Sequence, residues 1–194
     1  MFQMHYRHPH IGLAFDMPDE WELDDADMSR AGFVLALRLG DTRLMLQIEP
    51  SQGSAPARLA AMQQQLEAAR AAYIGPCPAP SFGRSRDIVA LRFFIGGSQQ
   101  RWLSISHEGH DYTISHTDDW QDVAAAVDRM CASFVFPPAD RLRHALRVTQ
   151  GASPRTAPPA MLFQPRQREA APWTAWLQRV GERLRRAHLT RTQG

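Results

Sequence analysis

The sequence predicts an α+β fold: an α/β/α sandwich with a mostly antiparallel sheet of six to seven strands, one helix on each face, and a C-terminal extension. Three observations predict it. Asp87-Ile-Val-Ala-Leu-Arg-Phe-Phe-Ile95 is apolar on both alternating faces, with Val89, Leu91, Phe93 and Ile95 on one and Ile88, Ala90 and Phe94 on the other, so it needs cover on both sides. Two stretches, about 56–73 and 118–134, each carry a single apolar stripe at three- and four-residue steps, which places each on a sheet rather than inside it. Gly40-Asp41, Gly96-Gly97 and Glu108-Gly109 punctuate short alternating runs, the mark of hairpins.

The elements follow in order. Ile11 to Met17 alternates as a strand, and Pro18-Asp-Glu-Trp21 turns the chain and supplies an aromatic plug for one end of the core. Gly32 to Leu39 and Arg43 to Glu49 form a hairpin, with Phe33, Leu35, Leu37, Leu44, Leu46 and Ile48 facing inward. Ser54 is placed to cap the first helix, Pro56 to Tyr73, striped by Leu59, Met62, Leu66, Ala69 and Tyr73. Ile74 to Pro80 reads as a rigid loop. The strand at 87–95, taken as the centre of the sheet, opens a three-stranded meander through Gln99–His107 and His110–His116. The second helix, striped by Trp120, Val123, Val127, Met130 and Phe134, has Asp118 and Gln121 as a capping box. Pro137-Pro138 ends the domain.

Three regions result: a sandwich domain at 1–138, a Pro-rich linker at 139–172, and a basic amphipathic helix at 173–190. Residues 139–148 can prolong a helix through Leu142, Ala145 and Leu146. Charge divides along the same boundary. Residues 1–138 hold 11 arginines against 17 acidic residues, a net −6, whereas 139–194 hold 11 arginines against 3 acids, a net +8. All 22 basic residues are arginine; without lysine, Schiff-base chemistry and a phosphate-loop lysine are excluded. The two cysteines, Cys77 and Cys131, are too far apart in sequence to be assigned as a disulfide and are expected to be reduced. No apolar leader and no run of roughly 18 apolar residues is present, so a cytoplasmic protein is expected.

The phrase Gly12-Leu-Ala-Phe-Asp-Met-Pro-Asp-Glu-Trp21, together with the order strand, hairpin, helix, three-stranded meander, helix, resembles the PsbP-like superfamily. Its relatives include the DcrB-like proteins, a nuclear Ran-release factor and the Eag-type chaperones of type VI secretion. Phe15, Pro18 and Trp21 match its opening pattern Phe-x-x-Pro-x-x-Trp, and Trp120 through Phe134 matches its aromatic-rich closing helix; the resemblance covers roughly residues 9–136. It implies a mostly non-enzymatic fold used by extrinsic subunits, assembly factors, chaperones and binding modules, and it carries no active site. The secretion or lipoprotein signal of many members is missing here, and the basic tail lies outside the pattern.

Candidate chemistry is sparse. His5, His8 and His10 cluster near the start, and His107 and His110 face each other across a turn as half of a metal site. Ser104, Ser106, His107 and Asp111 hold the letters of a hydrolase triad without the Gly-x-Ser-x-Gly elbow that exposes a nucleophile. Asp118-Asp119 with Asp122 and Asp128 hold the letters of a cation site, and acidic first-turn residues stabilising a helix N-terminus explain the first pair more simply. Met45 would matter for binding if its sheet face were open. No enzyme, no cofactor and no metal site is therefore expected. The expected function is that of a non-catalytic protein-binding module, accessory or chaperone-like, for a secretion-system client. Alternatives are a structural subunit anchored by its C-terminal helix, or a metal-binding protein using His107 and His110. The expected partner-binding residues are Trp173, Trp176, Leu177, Arg179, Val180, Arg183, Leu184 and Arg186, an apolar stripe within a basic helix. The partner is a protein client or a second copy in a homodimer. Nucleic acid is not expected on an acidic parent domain, and one short helix binds a membrane surface only marginally.

Overall fold

The computed structural model describes residues 5–29, 32–51, 53–82 and 88–151. The chain divides into two units, 1–150 and 151–194, and the architecture below is that of the first. The elements are β1 (His5–Arg7), β2 (Ala14–Asp16), β3 (Glu22–Ser29), β4 (Gly32–Leu39), β5 (Thr42–Pro50), α1 (Ala55–Ala68), β6 (Ala72–Pro76), β7 (Ile88–Ile95), β8 (Ser98–His107), β9 (His110–His116), α2 (Trp120–Ser133) and α3 (Ala139–Gly151). Seven strands make one antiparallel sheet in the order β3-β4-β5-β9-β8-β7-β6, and β1 pairs with β2 in a separate two-stranded ribbon.

Strand alternation sorts the sheet into two faces. On one, Phe33, Leu35, Leu37, Leu44, Leu46, Ile48, Leu103, Ile105, Tyr112 and Ile114 join a single cluster with Val123, Val127 and Met130 of α2 and Ile11, Leu13, Phe15 and Trp21 of the N-terminal segment. On the other, Leu91 and Phe93 of β7 are buried, as is Leu66 of α1, and α1 contacts β7 and β6. One helix thus lies on each face of the sheet. Strand β7 is sandwiched as the double apolar pattern of 88–95 requires, yet it is next to the edge, and the middle strand is β9. Ile11–Met17 also departs from expectation. Only Ala14–Asp16 is strand, outside the main sheet, where Ala14 bridges to Val135 beyond α2 and the Asp16 N–H donates to Ser133 Oγ at 2.8 Å.

Several boundaries differ from the sequence reading for identifiable reasons. Helix α1 stops at Ala68 because Arg70 adopts a left-handed φ of 60°. Tyr73 therefore leaves the helix stripe, and 72–76, read as loop, pairs with β7 as an edge strand. Asp119, not Asp118, is the N-cap of α2: it accepts the Gln121 N–H at 3.0 Å and also the Gln99 N–H at 2.9 Å, tying the helix start to β8. The two backbone N–H groups hold its carboxyl below the usual carboxylate range. Asp118 is drawn away by the Thr42 hydroxyl.

Edge strand β3 is acidic, with Glu22, Asp24, Asp25 and Asp27, and a bulge between Leu23 and Asp25 interrupts its pairing with β4. Asp24 meets Arg43 at 2.8 Å and Arg38 at 3.8 Å. Gly32, where β4 begins, accepts no side chain, since a Cβ there would sit 2.2 Å from the Ile48 carbonyl oxygen.

An aromatic cluster closes the α2 side of the core. Phe15 stacks parallel on Phe134 at 6.2 Å, and Phe82, Tyr112 and Phe136 complete it at centroid distances of 4.7 to 6.0 Å. Phe15, Phe82 and Tyr112 are almost wholly buried.

Helix α3 occupies the first part of the span read as linker. The rest of that span, and the helix expected at 173–190, lie outside the described residues. Among the described residues no helix is long and apolar enough to cross a membrane.

Candidate functional site

Three segments distant in sequence converge beside β3. The first is a tight turn at 8–13, in which the His8 N–H donates to the Leu13 carbonyl at 2.8 Å and the Gly12 N–H to the His8 carbonyl at 3.3 Å. Gly12 has a φ of 80°, which favours glycine. The second is β3 itself, and the third is α3. Leu142 and Leu146, four residues apart, are buried in the main cluster and hold α3 down. Arg141, His144, Ala145 and Val148 form another stripe at three- and four-residue steps, and they wall the space between α3, the turn and β3.

That space is a groove of about 820 Å³, within the usual range for ligand sites. Ala26, Met28, Ala145 and Val148 supply apolar surface; His8, His10, Asp140, Arg141, His144 and Arg147 supply the polar rim. Val148 is 58% exposed, an uncovered apolar side chain on the wall. His8 is held edge-on against Phe33 at 5.0 Å, and its Nδ1 accepts the N–H groups of His10 at 3.3 Å and Ile11 at 3.4 Å. Burial, with help from His10, lowers its pKa, so the ring is neutral and Nε2 carries its proton. A smaller hollow of about 570 Å³ on the other flank of α3 is lined by Pro50, Glu108, Gly109, His110, Arg143 and Leu146, among others.

The expected partner-binding residues Trp173, Trp176, Leu177, Arg179, Val180, Arg183, Leu184 and Arg186 lie outside the described residues. The triad letters part company. Ser104 and Ser106 lie on the α1 face of β8, whereas His107 points to the opposite face and stacks on Phe136 at 4.0 Å. His110 Nδ1 donates to the Glu108 carbonyl at 3.2 Å. Among the described residues no three His, Cys, Asp or Glu side chains are grouped to hold a metal. Cys77 and Cys131 are both free thiols, and burial pushes the Cys131 thiol far up.

Sequence reasoning missed a buried polar cluster beneath α1. Arg58, only 8% exposed, donates from Nε to Ser104 Oγ and from Nη1 to the Gly53 carbonyl, each at 3.1 Å, and faces Asp111 Oδ1 at 3.5 Å. Asp111 also accepts the hydroxyls of Ser51, at 3.1 Å, and Ser106. Nearby, burial raises the Glu49 pKa, opposed by the Gln47 hydrogen bond and reinforced by Asp111. The cluster fastens α1 to the sheet, and the carboxylate that its serine hydroxyls reach faces the Arg58 guanidinium.

No family model and no curated protein matches the chain. Solved structures do. The chain is similar to cyanobacterial PsbP (CyanoP) from Synechocystis sp. PCC 6803, with 16% identity, 69% of this chain and 91% of that chain covered, and a TM-score of 0.46. It is also similar to LpqN, involved in cell envelope biogenesis of Mycobacterium tuberculosis, with 14% identity, 71% and 91% covered, and a TM-score of 0.39. Neither likeness assigns a role to a residue of this chain.

A pH-sensitive contact lies at the opposite end of β9. Buried His116 donates from Nδ1 to the Asp118 carbonyl at 2.9 Å, and its Nε2 accepts the Arg101 N–H at 3.0 Å. Burial, opposed by Asp118 and Asp119, pushes its pKa down to about 4 from 6.5. The unfolded chain therefore takes up this proton first. The stabilisation is complete above about pH 6.5 and is lost as pH falls toward 4, by at most about 1.4 kcal/mol per pH unit, and the lowered pKa of His8 acts in the same sense. Urea unfolding from neutral to mildly acidic pH should show this decline, and His116→Gln should flatten it. An unchanged slope would place the titrating group elsewhere.

Proposed function

We propose that the chain is a non-catalytic protein-binding module, accessory or chaperone-like, that holds a short apolar segment of a client in the groove between β3 and α3. The observation that carries this reading is the groove itself: an apolar lining from Ala26, Met28, Ala145 and Val148 inside a polar rim. Ligand sites are built in this way, mostly apolar with a few oriented polar groups. Supporting it, Ser104, Ser106 and Asp111 lie together with Arg58 on the α1 face of the sheet, whereas His107 is on the opposite face, stacked on Phe136.

The test uses Val148→Asp, a substitution on an exposed wall that leaves the core untouched. Placing an uncompensated charge against a bound apolar segment weakens binding by about tenfold or more. Full-length protein should capture one dominant partner from lysate of its own source, and Val148→Asp, folded by circular dichroism, should lose it. Retention of that partner by the variant, or no capture by the parent chain, overturns the proposal.

A further inference from the structure

We infer that the segment selected by this groove is acidic as well as apolar, with carboxylate side chains beside its aliphatic residues that are read by Arg141 and Arg147. The inference rests on the binding-module reading of the same groove and adds the chemistry of its client.

The argument is one of charge complementarity. Four arginines elsewhere in the domain pair with acids, Arg38 and Arg43 with Asp24, Arg58 with Asp111, and Arg129 with Asp19 at 2.8 Å, whereas among the described residues Arg7, Arg70, Arg92 and Arg101 form no ion pair. Helix α3 gathers three more arginines of the second kind on one element. Among the described residues, no acidic side chain lies within ion-pair distance of Arg141, Arg143 or Arg147, although residues 1–138 carry 17 acids against 11 arginines. Arg147 instead donates from Nε to the Arg143 carbonyl at 3.3 Å, one turn back on its own helix. Among the described residues Asp140 is the sole carboxylate lining the groove.

Alternation sends Ala26 and Met28 to the groove face, opposite Leu35 and Phe33, and Asp24 is held by Arg38 and Arg43. A client therefore meets aliphatic surface from β3 and planar, permanently charged donors from α3. Guanidinium groups match carboxylates in fork geometry, and their charge-assisted hydrogen bonds are the strong ones. Arg141 and Arg147 are six residues apart on the helix, roughly 9 Å along its axis, so they can engage two separate carboxylates. A basic client would face the same arginines as like charges, which gives discrimination as well as attraction.

The test measures fluorescence anisotropy of three short labelled peptides with one shared Leu/Val pattern, carrying two Glu, two Gln or two Lys, against the full-length protein. The Glu peptide should bind about tenfold or more tightly than the Gln peptide, the Lys peptide should bind weakest, and added salt should narrow the differences. The double substitution Arg141→Glu with Arg147→Glu lies on the exposed side of α3 and should reverse the order. Three equal affinities, all reduced by Val148→Asp, would overturn the acidic preference and leave the binding module standing. A Glu preference that survives the double charge reversal would also overturn it. No binding by any peptide would overturn both.

Discussion

Phe15→Ala should lower stability by about 3–5 kcal/mol, the largest effect expected from any single truncation in this domain. Phe15 is fully buried, stacks on Phe134 and lies 5.1 Å from Tyr6, so its ring joins the N-terminal ribbon to the end of α2. Truncation removes the transfer energy of a whole ring and leaves a cavity that neighbouring rings, fixed by their own contacts, fill poorly. For a chain of this size the melting temperature should fall by roughly 10 °C or more. Thermal unfolding followed by circular dichroism checks it, and a fall of only a degree or two would mean that the N-terminal ribbon packs loosely.

Asp111→Asn should cost nearly as much, about 3–5 kcal/mol, through a different mechanism. The substitution removes the carboxylate that the Arg58 guanidinium faces at 3.5 Å, where both side chains are under 10% exposed. A buried cation that loses its counter-charge keeps its desolvation penalty without the Coulombic return. Replacing Arg58 by Met in the same chain should recover a good part of the loss, giving a coupling energy of about 0.5–3 kcal/mol in a double-mutant cycle by urea denaturation. Additive single effects would show that the pair does not act as a unit.

Both predictions bear on what the sequence makes legible. Phe15 was readable, because alternation marks it as inward and its neighbours are apolar. Arg58 was not, since arginine on a helix is ordinarily solvated and nothing local announces a partner on β9, 53 positions later. Strand β3 escaped for a related reason. Four acids in eight residues suppress strand propensity, and the bulge after Leu23 breaks the period-two pattern that would have revealed it. Strand β6 was hidden by Gly75 and Pro76, which read as loop. The β4–β5 hairpin and the meander, by contrast, followed directly from alternation and glycine turns. The groove was least legible of all. Its walls come from residues 8–10, 26–28 and 140–148, and a helix followed by a proline-rich stretch gives no sign that one of its faces is docked. The amphipathic pattern of Leu142 and Leu146 was visible in the sequence, but the surface it docks on was not.

The acidic edge of β3 sets a limit on assembly. Two copies meeting edge to edge along this strand would stack Glu22, Asp24 and Asp25 of one against those of the other, and like charges in cross-strand register disfavour pairing. The opposite edge, β6, is short, and Pro76 removes a donor from its ladder. The sheet therefore terminates itself at both ends. Edge-to-edge extension of this seven-stranded sheet is disfavoured from both of its ends.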